Sequence, residues 1–448
     1  MKRYVSVVLL AIALRAALCV AQPEPISPFA VIEASAQEFV GFLSDGDFGK
    51  AFEQFNDAMK RALPEPKLKA VWQSVTSQAG RFKGQLGVRT EEKAPVRIVF
   101  VTCEFGKGPF DISVVYNRAG QVAGLWFAPS LPPFKHEPPD YARPDSFRED
   151  EVTVGEGDWA LPGTLALPRG AGPFPAVVLV HGSGPHDRDE TVLANKPFRD
   201  LAWGLASRGI AVLRYDKRTK VHGAKMASAG TPVTVKEETI DDALAAVALL
   251  RRAERIEAGR IFVLGHSLGG MLVPRIGLRD SGVAGLIVMA GTTRPYEDVF
   301  LEQLSYIVSL TGPLSEDRQA RLAEFEKQAA AIKELRRTGE AAGEGLLLGA
   351  PPEYWLDLKD YDPPEAARKL AGPMLIIQGG RDYQVTLADF QGWKDALSSR
   401  QNVALKLYPR LNHLFVEGEG KSTPAEYRQP GHVAKAVIDD IADWIHRH

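Results

Sequence analysis

"RIFVLGHSLGGMLVPRI", residues 260–276, carries an apolar run into Gly265-His266-Ser267-Leu268-Gly269-Gly270 and leaves along an apolar face of helical spacing. Its first half reads as a buried strand and its second as a helix, with one serine at the corner. The pattern Gly-x-Ser-x-Gly suits such a corner: small residues allow a sharp strand-to-helix turn that lifts the hydroxyl above the sheet and leaves neighbouring amides free to donate. The plainer reading is a glycine turn whose serine only caps the helix. Partners elsewhere in the chain weigh against it.

Outward from this corner the same rhythm repeats. "PAVVLVHG" (175–182), "GIAVLRYD" (209–216), "AGLIVMAG" (284–291) and "GPMLIIQGG" (372–380) are short, near-continuous runs rich in Val, Ile and Leu, as strands covered on both faces must be. Helical patterns lie between them at 196–209, 237–256 and 268–280. The expected fold class is therefore α/β, a mostly parallel sheet with helices on both sides. "EVTVGEGDWALPGTLALP" (151–168) reads as an antiparallel hairpin at its leading edge. Residues of about 295–365 break the alternation with charged helical sequence between two expected strands. An insertion there sits above the carboxyl ends of the strands, where such sheets bind ligands, so it is read as a helical cap.

A serine hydroxyl needs a base, and the base needs an orienting carboxylate. In this architecture the chain order is Ser, then Asp or Glu, then His. "IIQGGRDYQV" supplies Asp382 just past a buried strand, and "LYPRLNHLF" supplies His413 just past the last strand-like run. Both leave the same edge of the sheet as Ser267. His432 is placed in a terminal helix, and His446 and His448 in the tail, as surface residues. An anion pocket is expected from "LVHGSGPHDRD", where glycines let backbone amides point inward. The amide of Ser183 with that of Leu268 is the expected oxyanion hole, and which amide of the 182–184 loop serves stays open.

The first part of the chain differs. Residues 1–21, with Lys2 and Arg3 ahead of "VSVVLLAIALRAALCVA" and the turn-forming "QPEPISP", read as a secretory signal cleaved after Ala21. Export to the periplasm or medium follows. Cleavage removes Cys19 and leaves Cys103 alone, so no intramolecular disulfide is possible. Residues 30–130 read as a small α+β domain, with helical patterns over 31–55 and 66–80 and strands over 96–105, 110–117 and 121–129. Cys103 alternates with apolar neighbours and is read as a core thiol. The proline-rich stretch 131–148 is the expected linker, and 149–448 the catalytic domain.

With Lys+Arg 54 against Asp+Glu 56 and a net charge of −2, no basic surplus exists to neutralise nucleic-acid phosphates. No stable membrane insertion is expected once the signal is removed. No metal and no cofactor is expected either, because no His, Cys or Glu ligands cluster in the sequence and "GHSLGG" lacks the lysine of a phosphate-binding loop.

On "HGSGPHDRDE", "LRYDKR", "GHSLGG", "GGRDYQV" and "LNHLF", spread over residues of about 150–448, the chain resembles the α/β-hydrolase superfamily, and within it bacterial carboxylesterases. "EFVGFLSDGDFGKAFEQF" (38–55) resembles a small uncharacterised domain that precedes the hydrolase in some relatives. The resemblance implies Ser267 as nucleophile, Asp382 as orienter, His413 as base, and hydrolysis of esters with short to medium acyl chains. In "LRYDKR" it suggests a structural pair of Asp216 with Arg218. A serine peptidase or amidase of the same fold is the enzymatic alternative, since fold alone does not choose the substrate. A non-catalytic binding protein is the other, and the intact Ser, Asp and His argue against it.

Overall fold

The computed structural model describes residues 29–93, 96–130, 136–228, 233–310, 312, 316–340 and 345–448; the expected signal at 1–21 and the first residues of the linker lie outside these. The chain divides into two compact units, residues 1–133 and 134–448.

In the first unit, helices α1 (Ala30–Asp45), α2 (Phe48–Glu53), α3 (Asp57–Ala62) and α4 (Glu65–Ala79) precede four strands, β1 (Phe82–Lys93), β2 (Val96–Phe105), β3 (Gly108–Tyr116) and β4 (Val122–Pro129). The strands form one antiparallel sheet in the order β1-β2-β3-β4. Strand β1 has no counterpart in the sequence reading: "FKGQLGVRTEEK" is polar and glycine-containing. It joins the sheet through its backbone, pairing with β2. Gly46 closes α1 at φ 83, and its amide bonds back to the carbonyls of the last turn, an ending that glycine permits without strain. Phe39, Val40 and Leu43 of α1 pack with Trp72 of α4 and with Val99, Val101 and Cys103 of β2. The Cys103 thiol is buried and free, and burial pushes its pKa up to about 12. An inert core thiol follows.

In the second unit the strands are β5 (Phe147–Val154), β6 (Leu161–Pro168), β7 (Phe174–Val180), β8 (Ala211–Tyr215), β9 (Ile256–His266), β10 (Gly285–Met289), β11 (Met374–Gly379) and β12 (Val403–Tyr408). They form one sheet in the order β12-β11-β10-β9-β7-β8-β6-β5. The pairings of β6 with β5 and with β8 are antiparallel, and all the others in this sheet are parallel. Helices α5 (Pro197–Ala206), α6 (Arg218–Ser228), α7 (Asp241–Arg252) and α8 (Leu268–Arg279) connect the inner strands. Between β10 and β11 come α9 (Tyr296–Ser309), α10 (Glu316–Thr338), α11 (Pro352–Asp357) and α12 (Pro363–Arg368), and α13 (Leu387–Leu397) and α14 (Lys435–Arg447) complete the unit.

Alternate strand residues feed two cores, as the pleat requires. Val178, Val180 and Val263 pack under Ala243, Ala246, Leu272 and Ile276 of α7 and α8. Val177, Leu179, Phe262 and Leu264 pack on the other face with Leu201 and Leu205 of α5 and Val437, Ile441 and Ile445 of α14. Each such side chain contributes roughly 1.5–3 kcal/mol by leaving water, and together they fix the strand ends from which the site is built. The described part of the proline-rich stretch, from His136 onward, belongs to this unit: His136 is buried and Tyr141 packs against the α5/α14 core. No helix among the described residues is long and apolar enough to cross a membrane.

Candidate active site

Strand β9 ends at His266 and α8 starts at Leu268, which leaves Ser267 alone at the corner with φ 55 and ψ −116. A non-glycine residue in that region costs on the order of 1–3 kcal/mol and persists only where its surroundings over-determine it. Here they do. The Ser267 amide donates to Met289 O at 2.9 Å, and its carbonyl accepts the Met271 amide at 2.9 Å. The glycines are forced by contact: a Cβ at Gly265 would meet the Gly269 carbonyl oxygen at 2.3 Å, and one at Gly269 would meet Val180 O at 2.3 Å.

Asp382 follows β11 and His413 follows β12. His413 Nδ1 lies 2.6 Å from Asp382 Oδ2. The other oxygen, Oδ1, accepts the amides of Gln384 at 2.7 Å and Val385 at 3.0 Å, while Gln378 Nε2 donates to Oδ2 at 3.1 Å. Four donors thus fix a carboxylate that is 5% exposed. His413 is held by its neighbour, since Asn412 Oδ1 accepts the amides of Leu414 and Val416 at 3.0 and 3.1 Å. The two loops touch closely: a Cβ on Gly379 would meet Asn412 O at 2.5 Å.

Ser267 and His413 line one cavity of about 290 Å³ with Gly182, Ser183, Glu190, His266, Tyr383, Gln384 and Tyr427. Gly182 lies against the serine, since a Cβ there would stand 3.2 Å from Ser267 Cβ. A second cavity of about 460 Å³ shares Ser183 and is walled by Tyr296, Phe300, Leu348, Tyr354 and Trp355 from the segment between β10 and β11. A more open groove of about 700 Å³ passes the far side of Asp382, between Arg381, Arg410 and Lys421, and contains neither Ser267 nor His413.

Two buried ion pairs whose residues the sequence reading gave no role support this cavity, Glu190 with His266 and Lys217 with Glu238. Glu190 Oε1 accepts the Gly182 amide at 2.6 Å, and Oε2 meets His266 Nδ1 at 2.8 Å. His266 Nε2 in turn lies 3.0 Å from the His413 carbonyl. With an acceptor on each side, both ring nitrogens of His266 donate, which is the imidazolium form. Burial opposes that charge, but Glu190 and the His413 carbonyl outweigh it and hold the His266 pKa above the ordinary value. Burial likewise opposes the Glu190 charge, and His266 overcomes it, holding the carboxyl down to about 2. Lys217, fully buried, donates from Nζ to Gly182 O at 2.8 Å and pairs with Glu238 at 3.1 Å. Tyr354 OH donates to Glu238 Oε2 at 3.2 Å. His181 is buried and neutral, its pKa pushed down to about 4 by burial.

The 182–184 loop divides by function. The Gly182 amide is committed to Glu190, whereas among the described residues no protein group accepts the amide of Ser183 or of Leu268.

Two expectations are corrected. Asp216 does not pair with Arg218; it binds Arg188, with Arg188 Nη2 to Oδ2 at 3.1 Å, and Arg218 binds Asp242. Adjacent strands explain this, since Arg188 follows β7 and Asp216 follows β8, while Arg218 opens α6 and meets the first turn of α7. His432 lies before α14 rather than within it, beside the buried Asp200 at 3.1 Å.

The order in which these side chains leave the sheet, corner serine first, carboxylate next and imidazole last, is that of the α/β-hydrolases, and the protein is one of them. Residues 172–419 match the family described as "Serine aminopeptidase, S33", and residues 36–125 match one described as "Protein of unknown function (DUF3887)". The chain is 42% identical over 417 residues to "Esterase EstD" of Thermotoga maritima, which covers 93% of this chain and 96% of that one. To the "Monoacylglycerol lipase" of Mycolicibacterium smegmatis it is 26% identical over 289 residues, 63% of this chain and 89% of that one. A solved esterase of Pyrococcus furiosus superposes with a TM-score of 0.43 at 17% identity, over 71% of this chain and 98% of that one. The chain belongs to the serine hydrolase family matched over 172–419, with the uncharacterised domain ahead of it.

Proposed function

We propose that this carboxylesterase-type hydrolase cleaves esters of short to medium acyl chains through an acyl-enzyme on Ser267. The observation that carries the reading is the 2.6 Å bond from Asp382 to His413, whose side chain lines the same cavity as the strained Ser267. Asp382 accepts the Nδ1 proton of His413 and so leaves Nε2 as the base. Nε2 takes the Ser267 proton as Oγ attacks the ester carbonyl, and the oxyanion is held by the amides of Ser183 and Leu268. His413 then returns the proton to the departing alkoxide. Water repeats the cycle on the acyl-enzyme and frees the acid. Each oxyanion donor is worth about two to three powers of ten in kcat. Near-full-length similarity to a named esterase supports the ester over the amide, and a cavity of about 290 Å³ suits a small acyl group.

The family description favours a second reading, an aminopeptidase. Such an enzyme needs a carboxylate for the substrate's ammonium group. Among the described residues Glu190 is the only acid lining the 290 Å³ cavity, and it is already bound to His266 and Gly182. A panel of p-nitrophenyl esters of graded length, run beside aminoacyl anilides, separates the two. Turnover of short and medium esters is expected; turnover of anilides alone overturns the esterase reading. Export is part of the proposal, and a mature chain beginning at Gln22 is its expected result in N-terminal sequencing.

A further inference from the structure

The sequence shows no cluster of metal ligands, yet the fold brings three together from distant positions. His136 stands ahead of β5, Asp200 on α5 and His432 just before α14, and one ligand atom from each lies within 4.8 Å of the others. His136 Nε2 is 3.0 Å from Asp200 Oδ1. His432 Nδ1 is 3.1 Å from the same oxygen and 3.3 Å from Oδ2.

Hydrogen bonding alone leaves this cluster incomplete. The His136 side chain is 1% exposed, as is that of Asp200. The Asp200 oxygen stands at hydrogen-bond distance from His136 but outside hydrogen-bond geometry, and both ring nitrogens of His136 are buried without a hydrogen-bond partner. Buried polar atoms are almost always satisfied, and an unsatisfied one points to something the protein atoms do not supply. Asp200 Oδ2 is oriented by the Val433 amide at 3.0 Å, in the way that outer hydrogen bonds aim a ligating carboxylate.

The spacing fits an ion at the centre. Zinc bonds of roughly 2.0–2.2 Å in a tetrahedron place adjacent ligand atoms about 3.3–3.6 Å apart; Asp200 Oδ1 stands 3.0 Å from His136 and 3.1 Å from His432, so an ion is admitted once the three atoms part by about half an ångström. In that arrangement the His136 lone pair points at the metal rather than along the line to the oxygen, which accounts for its short contact with the wrong angle, while His432 exchanges its hydrogen bond to Asp200 for the metal. Two imidazoles and one carboxylate select a borderline ion such as zinc over magnesium or calcium, which take oxygen ligands. His432, with its side chain 34% exposed, leaves one side open for water as the fourth ligand.

We propose that His136, Asp200 and His432 bind one zinc ion that pins the segment ahead of β5 and the segment ahead of α14 to helix α5. The site is structural and separate from the chemistry at Ser267.

The test uses the full chain, expressed without an affinity histidine tag, stripped with a chelator and titrated with zinc and with cobalt(II). One equivalent per chain, the visible absorption of tetrahedral cobalt(II) and a rise in Tm with zinc are expected. His432→Gln and His136→Gln should each weaken binding by at least about tenfold and abolish the zinc-dependent rise in Tm. His432 is partly exposed in a loop, so His432→Gln decides the matter if His136→Gln fails to fold, with ester hydrolysis as the control for folding. A wild-type chain that takes up no metal, or a His432→Gln variant that binds zinc unchanged, overturns the site and leaves a hydrogen-bonded His-Asp-His cluster.

Discussion

Glu190 holds His266 at 2.8 Å with one oxygen and the Gly182 amide at 2.6 Å with the other. One buried carboxylate therefore ties the loop after β7 to the residue preceding Ser267. Because His266 also meets the His413 carbonyl, the tie extends to the loop that carries the proposed base. Glu190→Gln keeps the shape and removes the charge. Kcat should fall by about one to two powers of ten with KM little changed, a fraction of what losing a whole oxyanion donor costs. Steady-state kinetics on one short ester checks the split.

The same pair predicts a pH dependence of stability. Glu190 is held down to about 2, so its contribution is complete above the ordinary carboxyl value of about 4.3 and is lost as the pH falls toward 2. His266 is held above its ordinary value, so its contribution is complete below about pH 6.5 and is lost as the pH rises through the elevated pKa. The difference in Tm between wild type and Glu190→Gln should be largest between about pH 4.3 and 6.5 and shrink on both sides. A difference that is flat from pH 3 to pH 9 contradicts the charged pair.

The proposed nucleophile, Ser267, is also the strained residue at the corner. Ser267→Ala should lower kcat by about six powers of ten, by analogy with removal of the nucleophile from other serine hydrolases. Ser267→Gly should be equally inactive, yet more stable than Ser267→Ala by about 1 kcal/mol, because only glycine occupies φ 55, ψ −116 without penalty. Urea denaturation of the two variants measures the difference directly.

Asp382→Asn tests the proposed role of Asp382 in orienting His413. The amide preserves size but presents His413 Nδ1 with a donor or a weaker acceptor, which favours the wrong tautomer. A loss of about four powers of ten in kcat is expected. Fluorophosphonate labelling should slow in parallel, and labelling at the wild-type rate would remove Asp382 from the mechanism.

Much of this site was legible because each part sits where a buried strand stops. "IFVLGHS", "LIIQGGRD" and "LYPRLNH" announce strand ends by losing apolar character at glycine or proline, and the parallel arrangement sends all three ends to one edge. The supports were not legible. Glu190 lies 76 residues from His266, and nothing in local pattern links a carboxylate after β7 to an imidazole at the end of β9. Polar β1 was missed for a related reason: its place in the sheet comes from backbone pairing with β2, which leaves no apolar alternation to read. The Asp216–Arg218 pair that the resemblance suggests does not form, because Asp216 at the end of β8 meets Arg188 from the loop after the neighbouring strand β7.

Lys217 and Glu238 show how such supports can be tested without touching the reacting atoms. Both are buried, 3.1 Å apart, and Lys217 also carries the Gly182 carbonyl at 2.8 Å. Lys217→Met strips Glu238 of its counter-charge and leaves that carbonyl without its donor. A destabilisation of about 3–5 kcal/mol is expected, the usual result of breaking a buried pair from one side. Glu238→Leu added to Lys217→Met removes the orphaned charge and should recover most of the loss, because two apolar side chains of similar volume often replace a buried pair at little cost. Kcat should not recover with it, since the Gly182 carbonyl still lacks its donor and the adjoining Ser183 amide loses its aim. Chemical denaturation and ester kinetics on the single and double variants separate the two effects; a double variant that regains full kcat would show that Lys217 serves stability alone.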